Sequence, residues 1–213
     1  MDNSSVDELG RRKRNNLPDH IIGCILSFLH IKEAICTSVL SKRWISLWKI
    51  ITRLNFDDMD HFTSNKIRKK CFVDFIDRVL LHLLSSEDIQ SFSLALARTY
   101  DSSYINNLIS VVLSYRIKKL YVDLQKELTV SSYALFKCKS LEELMLNGCA
   151  VSLPSLVCFS SLTILKLSRI TITCDSSNKS KTLALNFPAI RKYETLDCTW
   201  SGVNSVTLRV PLL

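Results

Sequence analysis

The sequence predicts an α+β chain: an N-terminal three-helix module, followed by an α/β solenoid whose parallel strands line a concave face. Three observations carry that expectation. Residues 17–48 hold short apolar stripes at helical spacing and two of the 3 tryptophans. From residue 89 onward the pattern apolar-x-x-apolar-x-apolar recurs at intervals of about 21 to 28 residues. Between these regions lies one long amphipathic segment of helical period.

The composition is globular. Of 213 residues, 47% are hydrophobic and 23% charged, so the chain has enough apolar content to build a core. Only 4 glycines and 4 prolines are present, which argues against glycine-rich catalytic loops and low-complexity linkers. The net charge is +8, concentrated in Arg11-Arg12-Lys13-Arg14 and in the run from Lys66 to Lys70. No aromatic residues interleave with either run, so nucleic acid is not expected as a partner. Residues 1–16 read as a disordered basic tail, whose arginine run is either a nuclear-import signal or a solvated segment. The N-terminus has no apolar signal-peptide core, and no apolar run reaches the ~18 residues of a membrane span. The 8 cysteines include no CxxC pair. They read as small packing residues with reduced thiols. The sequence therefore predicts no metal, no cofactor and no membrane contact, with residence in the nucleus and/or cytoplasm.

The first module is expected over residues 17–57. Pro18 and Asp19 suit a first helical turn, where a proline N–H is not needed and a carboxylate meets the positive helix end. Ile22, Ile25, Leu26 and Leu29 then form one apolar stripe. A second helix is predicted from Lys32 to Val39, with Ala34, Ile35 and Val39 apolar. A third follows Ser41 as N-cap, with Trp44, Leu47 and Trp48 on one face. A unit this small rarely holds a core unaided. Either a partner helix or the rest of the chain must cover its apolar surface.

Residues 58–86 read as a linker and a helix. Phe72, Phe75, Ile76, Val79, Leu80 and Leu83 mark its apolar face, and Asp74 pairs with Arg78 on the other. This helix is expected to hide the first edge of the array that follows.

The repeats span residues 87–213, with copies beginning at Ile89, Ile117, Leu141, Leu162 and Ile190. Alternation sends every second strand residue outward. The outward set reads Ser91 and Ser93; Lys119, Tyr121 and Asp123; Glu143, Met145 and Asn147; Ile164, Lys166 and Ser168; Lys192 and Glu194. From it, Lys119, Tyr121, Asp123, Glu143, Met145, Asn147, Ile164 and Lys166 are the candidate substrate-binding residues. The returns between strands are expected to be helical or irregular, as at residues 104–115, where Leu108, Val111 and Val112 would pack inward. Cys149 and Cys198 each follow the last apolar position of a copy by three residues, where a small buried side chain fits. Residues 173–181 form a longer polar loop. The array stops without a polar capping repeat, consistent with a fragment, a truncated product or an end that a partner covers.

No catalytic constellation emerges. His20, His30, His61 and His82 are dispersed, and HExxH, GxSxG, GxGxxG and P-loop patterns do not occur. No catalytic residue is expected.

The run Leu17-Pro18-Asp19, Ile21-Ile22, Ile25-Leu26-Ser27-Phe28-Leu29, Thr37-Ser38-Val39-Leu40-Ser41-Lys42-Arg43-Trp44 and Leu47-Trp48 closely resembles the F-box of plant F-box proteins. The later region resembles the leucine-rich part of plant F-box/LRR proteins. The resemblance implies a three-helix F-box docked on a Skp-type adaptor, carried by the cullin and RING subunits of a ubiquitin ligase. It places Leu17, Pro18, Ile22, Ile25, Leu26, Leu40 and Trp44 in the adaptor interface, with Trp48 more internal. Two departures stand out. His30-Ile31 replaces a common Pro-Thr pair and would cost a threonine N-cap, about 1 kcal/mol. Ile51-Thr52 stands for Val-Pro. The implied function is substrate recognition for the ligase. The alternatives are a repeat-based scaffold and a repeat array holding a small ligand.

Overall fold

A computed structural model describes residues 17–40, 44–48, 51–58, 65–83, 89–174 and 182–210. The chain divides into two compact units between Ile51 and Thr52.

In the first unit, α1 spans Asp19–Leu26, α2 Ile31–Cys36, and α3 Trp44–Leu47, with a 3-10 turn at Thr37–Val39 between the last two. Pro18 caps α1 through its carbonyl, which accepts from the N–H groups of Ile21 and Ile22 at 3.0 and 3.2 Å. The apolar stripe of α1 splits. Ile22 and Leu26 turn inward, whereas Ile21 and Ile25 stay exposed. At α2 the expected loss of a cap at Ile31 is corrected. Ile31 is the first helical residue and is buried, and the N-cap is His30. The Glu33 carboxylate, three residues into the helix, accepts the His30 N–H at 3.2 Å, so a glutamate within the first turn does part of the work of a threonine. Ala34, Leu47, Trp48 and Ile51 complete the buried set. The expected N-cap Ser41 lies outside the described residues.

The second unit is built of parallel strands. Its first, β1 (Arg53–Asp57), was expected at the tail of the helical module. Instead it pairs in parallel with β2 (Ser91–Leu96) through the 19-residue helix α4 (Asn65–Leu83). A parallel pair needs such a crossover. Helix α4 buries Ile76, Val79, Leu80 and Leu83. Its Phe75 meets Phe56 of β1 edge-on at 5.9 Å, and Phe72 lies 6.0 Å from Tyr100. The helix therefore packs on the face of β1 and the segment after β2 rather than hiding a sheet edge. The edge strand of this sheet is β1.

A second crossover, α5 (Ser102–Ser114), leads to the long β3 (Lys119–Ser131). Asp101 caps α5 by accepting the Tyr104 N–H at 3.3 Å. Ile105, Leu108, Ile109, Val112 and Leu113 face inward. Val111, expected inside with Leu108 and Val112, is 36% exposed, because it lies at the flank of the inward arc, beyond Leu108.

Beyond one more short helix, the described returns are strands. After β3 come a short α6 (Ser132–Lys137), β4 (Glu143–Leu153) and β5 (Leu156–Cys158). Then follow β6 (Ile164–Ser168), β7 (Thr171–Cys174) and β8 (Thr182–Asn186). The last are β9 (Lys192–Leu196), β10 (Thr199–Ser201) and β11 (Ser205–Arg209). One row runs β1-β2-β3-β4-β6-β9, a second links the C-terminal part of β4 to β7 and β10, and a third runs β5-β8-β11. Among the described residues, helical returns are thus confined to the earlier copies, and the later returns are strands rather than helical or irregular segments.

The corner between the first and second rows needs a left-handed residue in successive copies. Gly148, Arg169 and Asp197 occupy equivalent positions with φ of 69°, 51° and 53°. Directly after them, Cys149 and Ile170 are buried, and the Cys198 thiol donates to the Leu167 carbonyl at 3.4 Å. Burial pushes the Cys149 thiol up to about 12, so it packs as a neutral small group. Inside, Phe136, Phe159, Phe187 and Tyr193 form a line with ring centroids 5.1, 5.7 and 6.2 Å apart.

At the C-terminal end of β1 sits Asp58, the buried charged residue of the described core. Its carboxylate accepts the N–H groups of Ala97 and Arg98 at 2.6 and 3.2 Å and the Tyr100 hydroxyl at 3.0 Å. The Arg98 guanidinium in turn donates to the Asp58 carbonyl at 2.6 Å.

Candidate functional site

Each unit presents one candidate surface. On the helical unit it is apolar. Of the seven residues expected to meet an adaptor, Leu17, Pro18, Ile25 and Leu40 are exposed and Trp44 is half-buried. Ile22 and Leu26 are 1% and 0% exposed, so they support the unit from within and are not available to a partner. The structure adds three residues that the motif reading left out: Ile21, Phe28 (86% exposed) and Val39 (85%). The missed signal for Ile21 and Phe28 was the second apolar stripe of α1, at i and i+4 with Ile25 and then just past the helix end. This much exposed aliphatic and aromatic surface on so small a unit is costly in water, which makes it a candidate contact surface. These seven exposed side chains are apolar, so what they can do is bury area against another apolar face.

The second surface is the outward side of the main strand row. Its register matches the alternation read from the repeats. Ser91, Lys119, Glu143, Ile164 and Lys192 align across the sheet, as do Ser93, Tyr121, Met145, Lys166 and Glu194. Asp123, Asn147 and Ser168 form a third line. The β1 residues Arg53, Asn55 and Asp57 extend these lines by one strand, which the repeat template could not show because β1 lies outside it.

Charges on this face are arranged in pairs, most of them across neighbouring strands and one, Lys192 with Glu194, along β9. The Lys119 ammonium lies 2.6 Å from Glu143, and the Tyr121 hydroxyl donates to the other Glu143 oxygen at 2.6 Å. Lys166 and Lys192 both approach Glu194, at 3.0 and 2.8 Å. The Asn147 amide donates to Asp123 at 2.8 Å, and the Arg169 guanidinium donates to the Asn147 oxygen at 3.0 Å. Burial raises the Glu143 pKa, but hydrogen bonds from Lys119 and Tyr121 outweigh it and hold the carboxyl below its usual range. Burial first, and then Glu143, push the Tyr121 phenol well above its ordinary value. Hydrogen bonds from Lys192 and Lys166 hold Glu194 low.

Between these pairs lies an open depression of about 270 Å³. Tyr121, Asp123, Met145, Asn147 and Lys166 line it, five of the eight candidate residues. Lys119, Glu143 and Ile164 sit beside it on the same lines but outside its wall. Its chemistry is mixed: one thioether, one phenol, an amide and opposed charges. That suits complementary contacts with another macromolecule. No nucleophile–base pair is assembled there. Among the described residues no group of histidine, cysteine, aspartate and glutamate is placed to hold a metal ion, and no helix is long and apolar enough to cross a membrane.

An F-box domain model matches residues 15–56, which takes in the whole of the first surface. An F-box/FBD/LRR-repeat protein of Arabidopsis thaliana is 33% identical over 205 residues, covering 94% of this chain and 45% of the relative. An F-box protein of the same plant is 33% identical over 200 residues, covering 87% of this chain and 40% of that protein. An F-box/LRR-repeat protein is 35% identical over 147 residues, 63% of this chain and 30% of its own length. The chain thus spans less than half the length of these curated relatives. No solved structure matches the chain.

Proposed function

This chain is an F-box protein, homologous over most of its length to plant F-box/LRR-repeat proteins, and from that premise we propose that it is a substrate-recognition adaptor of an SCF-type cullin–RING ubiquitin ligase. In this reading the helical unit is a three-helix F-box that docks on a Skp-type adaptor. The strand-built unit is a leucine-rich-repeat solenoid that holds the target protein. The chain does no covalent chemistry. It raises the local concentration of the target near the charged ubiquitin carrier. Residence in the nucleus and/or cytoplasm belongs to the same proposal.

The observation that carries it is the exposed apolar group Leu17, Ile21, Ile25, Phe28, Val39 and Leu40 within the F-box match. A partner that covers it removes several large side chains from water at once. The outward row of the strand unit supplies what a receptor face needs: paired charges around a depression with Tyr121 and Met145 as anchors.

The test is co-expression with a Skp-type adaptor, looking for a stoichiometric complex. Replacing Leu17 and Pro18 by alanine, or Leu40 by aspartate, should weaken it by at least about tenfold. No complex with the unaltered chain, or a complex indifferent to these changes, would refute the ligase reading. A complex that forms while no target is retained through Tyr121 and Lys166 would leave the docking half standing and sink the receptor half.

A further inference from the structure

Gly148, Arg169 and Asp197 take the same left-handed corner in successive copies. Glycine does so without strain, and aspartate is among the few residues that tolerate it. Arginine is neither. At φ 51° its Cβ crowds a backbone carbonyl oxygen, so this copy gives up stability to keep the side chain. The corner is held by its neighbour, since the Arg169 N–H donates to the Leu196 carbonyl of β9 at 2.8 Å.

From the corner the side chain runs back along the rim of the depression. Its Nε donates to Asn147 Oδ1 on β4 at 3.0 Å, and its Nη2 stands 3.9 Å from the Asp123 carboxylate on β3. Asn147 and Asp123 line the depression, as does Ser168, the residue before the corner. The Asn147 amide completes the row by donating to Asp123 at 2.8 Å. One guanidinium is thus fixed across three strands while its side chain stays 58% exposed.

What the fixed group lacks is an acceptor. Among the described residues, none lies within hydrogen-bond distance of its Nη nitrogens. The carboxylates around the depression are already engaged. Both oxygens of Glu143 receive donors, from Lys119 and Tyr121, and both oxygens of Glu194 meet lysines, Lys192 and Lys166. Asp123 Oδ1 accepts from Asn147. The spare capacity at this rim is therefore positively charged donor capacity. A planar guanidinium with its terminal nitrogens open matches a carboxylate, two N–H groups to two oxygens. We infer that Arg169 sets the specificity of this face, receiving an aspartate or glutamate side chain of the bound protein at the edge of the depression. The inference rests on the receptor half of the proposed function and names the chemistry of its target.

Fluorescently labelled hexaglutamate, hexaglutamine and hexalysine test this on the full 213-residue chain. Binding is read by anisotropy at about 150 mM salt, which screens the chain's bulk charge. Of the three, hexaglutamate alone should bind. Arg169→Gly should weaken it by about tenfold or more. Because glycine relieves the corner, this variant should unfold at the same denaturant concentration as the parent or a higher one. Arg169→Lys keeps the charge, loses the fork and should weaken binding several-fold. Lys70→Gln removes an exposed charge on α4 and should change nothing. Absence of hexaglutamate binding overturns the inference, as does a preference for hexalysine. So does full binding by either Arg169 variant, an equal loss with Lys70→Gln, or an Arg169→Gly chain that unfolds early. None of these outcomes touches adaptor binding, so the ligase reading stands or falls by its own co-expression test.

Discussion

The Tyr100 hydroxyl donates to the Asp58 carboxylate at 3.0 Å, tying the segment after β2 to the end of β1. The same carboxylate receives the backbone N–H groups of Ala97 and Arg98, so one side chain serves three donors. Asp58→Ala leaves those donors buried without an acceptor and should cost about 2–4 kcal/mol in denaturant unfolding. Tyr100→Phe removes one hydrogen bond and should cost about 1 kcal/mol. Equal effects would show that the backbone bonds carry little.

The helical unit separates buried from exposed apolar residues. Leu26→Ala opens a cavity inside it and should cost about 2–5 kcal/mol of that unit's stability. Leu40→Ala, at a side chain 67% exposed, should change stability by less than about 0.5 kcal/mol and lower only adaptor affinity. Thermal unfolding beside a binding titration distinguishes the two. A Leu40 variant that melts early would place that side chain in the core.

The pair Tyr121–Glu143 makes stability depend on pH at both ends. Glu143 has a folded pKa below its unfolded one. Its contribution is present above about pH 4.5 and is lost as pH falls through the folded pKa. Tyr121 has a folded pKa above its ordinary 10.0. Its contribution holds below that value and is lost as pH rises beyond it, because the unfolded chain ionises first. Glu143→Gln should flatten the acid limb of denaturation midpoint against pH, and Tyr121→Phe should reduce the alkaline slope. Tyr100 and Tyr104, which burial also raises, would keep part of that slope.

The three corner residues should respond in opposite ways. Gly148 sits at φ 69°, and a Val there should cost about 1–2 kcal/mol. Asp197 holds φ 53° despite its Cβ. Asp197→Gly should be neutral or stabilising by a few tenths of a kcal/mol. Chemical denaturation reads both, and a destabilised Asp197→Gly would mean that its side chain does more than tolerate the corner.

The aromatic line should weaken toward its open end. Phe187, 2% exposed and stacked on Phe159, should cost about 3–5 kcal/mol as alanine. Tyr193, 37% exposed, should cost clearly less.

The strands and their outward residues were legible because period-two alternation is a local property. Once Leu144 and Leu146 are set inward, Glu143, Met145 and Asn147 must face out, and repetition aligns them with Lys119, Tyr121 and Asp123. The alternation of Leu54 and Phe56 is just as regular, yet β1 precedes the first copy of the template, and only its pairing with β2 reveals it as a strand of the sheet. Nor can local spacing rank two apolar stripes on one helix. Ile22 with Leu26 and Ile21 with Ile25 are equally spaced and equally apolar. Packing within the unit buries the first pair and leaves the second exposed.

What the sequence by itself determined is therefore the repeat, its register and the identity of the outward row, since each follows from neighbours along the chain. What only the tertiary structure decided is the strand-built return of the later copies and the left-handed corners at Arg169 and Asp197. Those depend on residues stacked from the next copy, about 21 to 28 positions away. A short apolar segment becomes a strand there because a neighbouring copy supplies the hydrogen bonds.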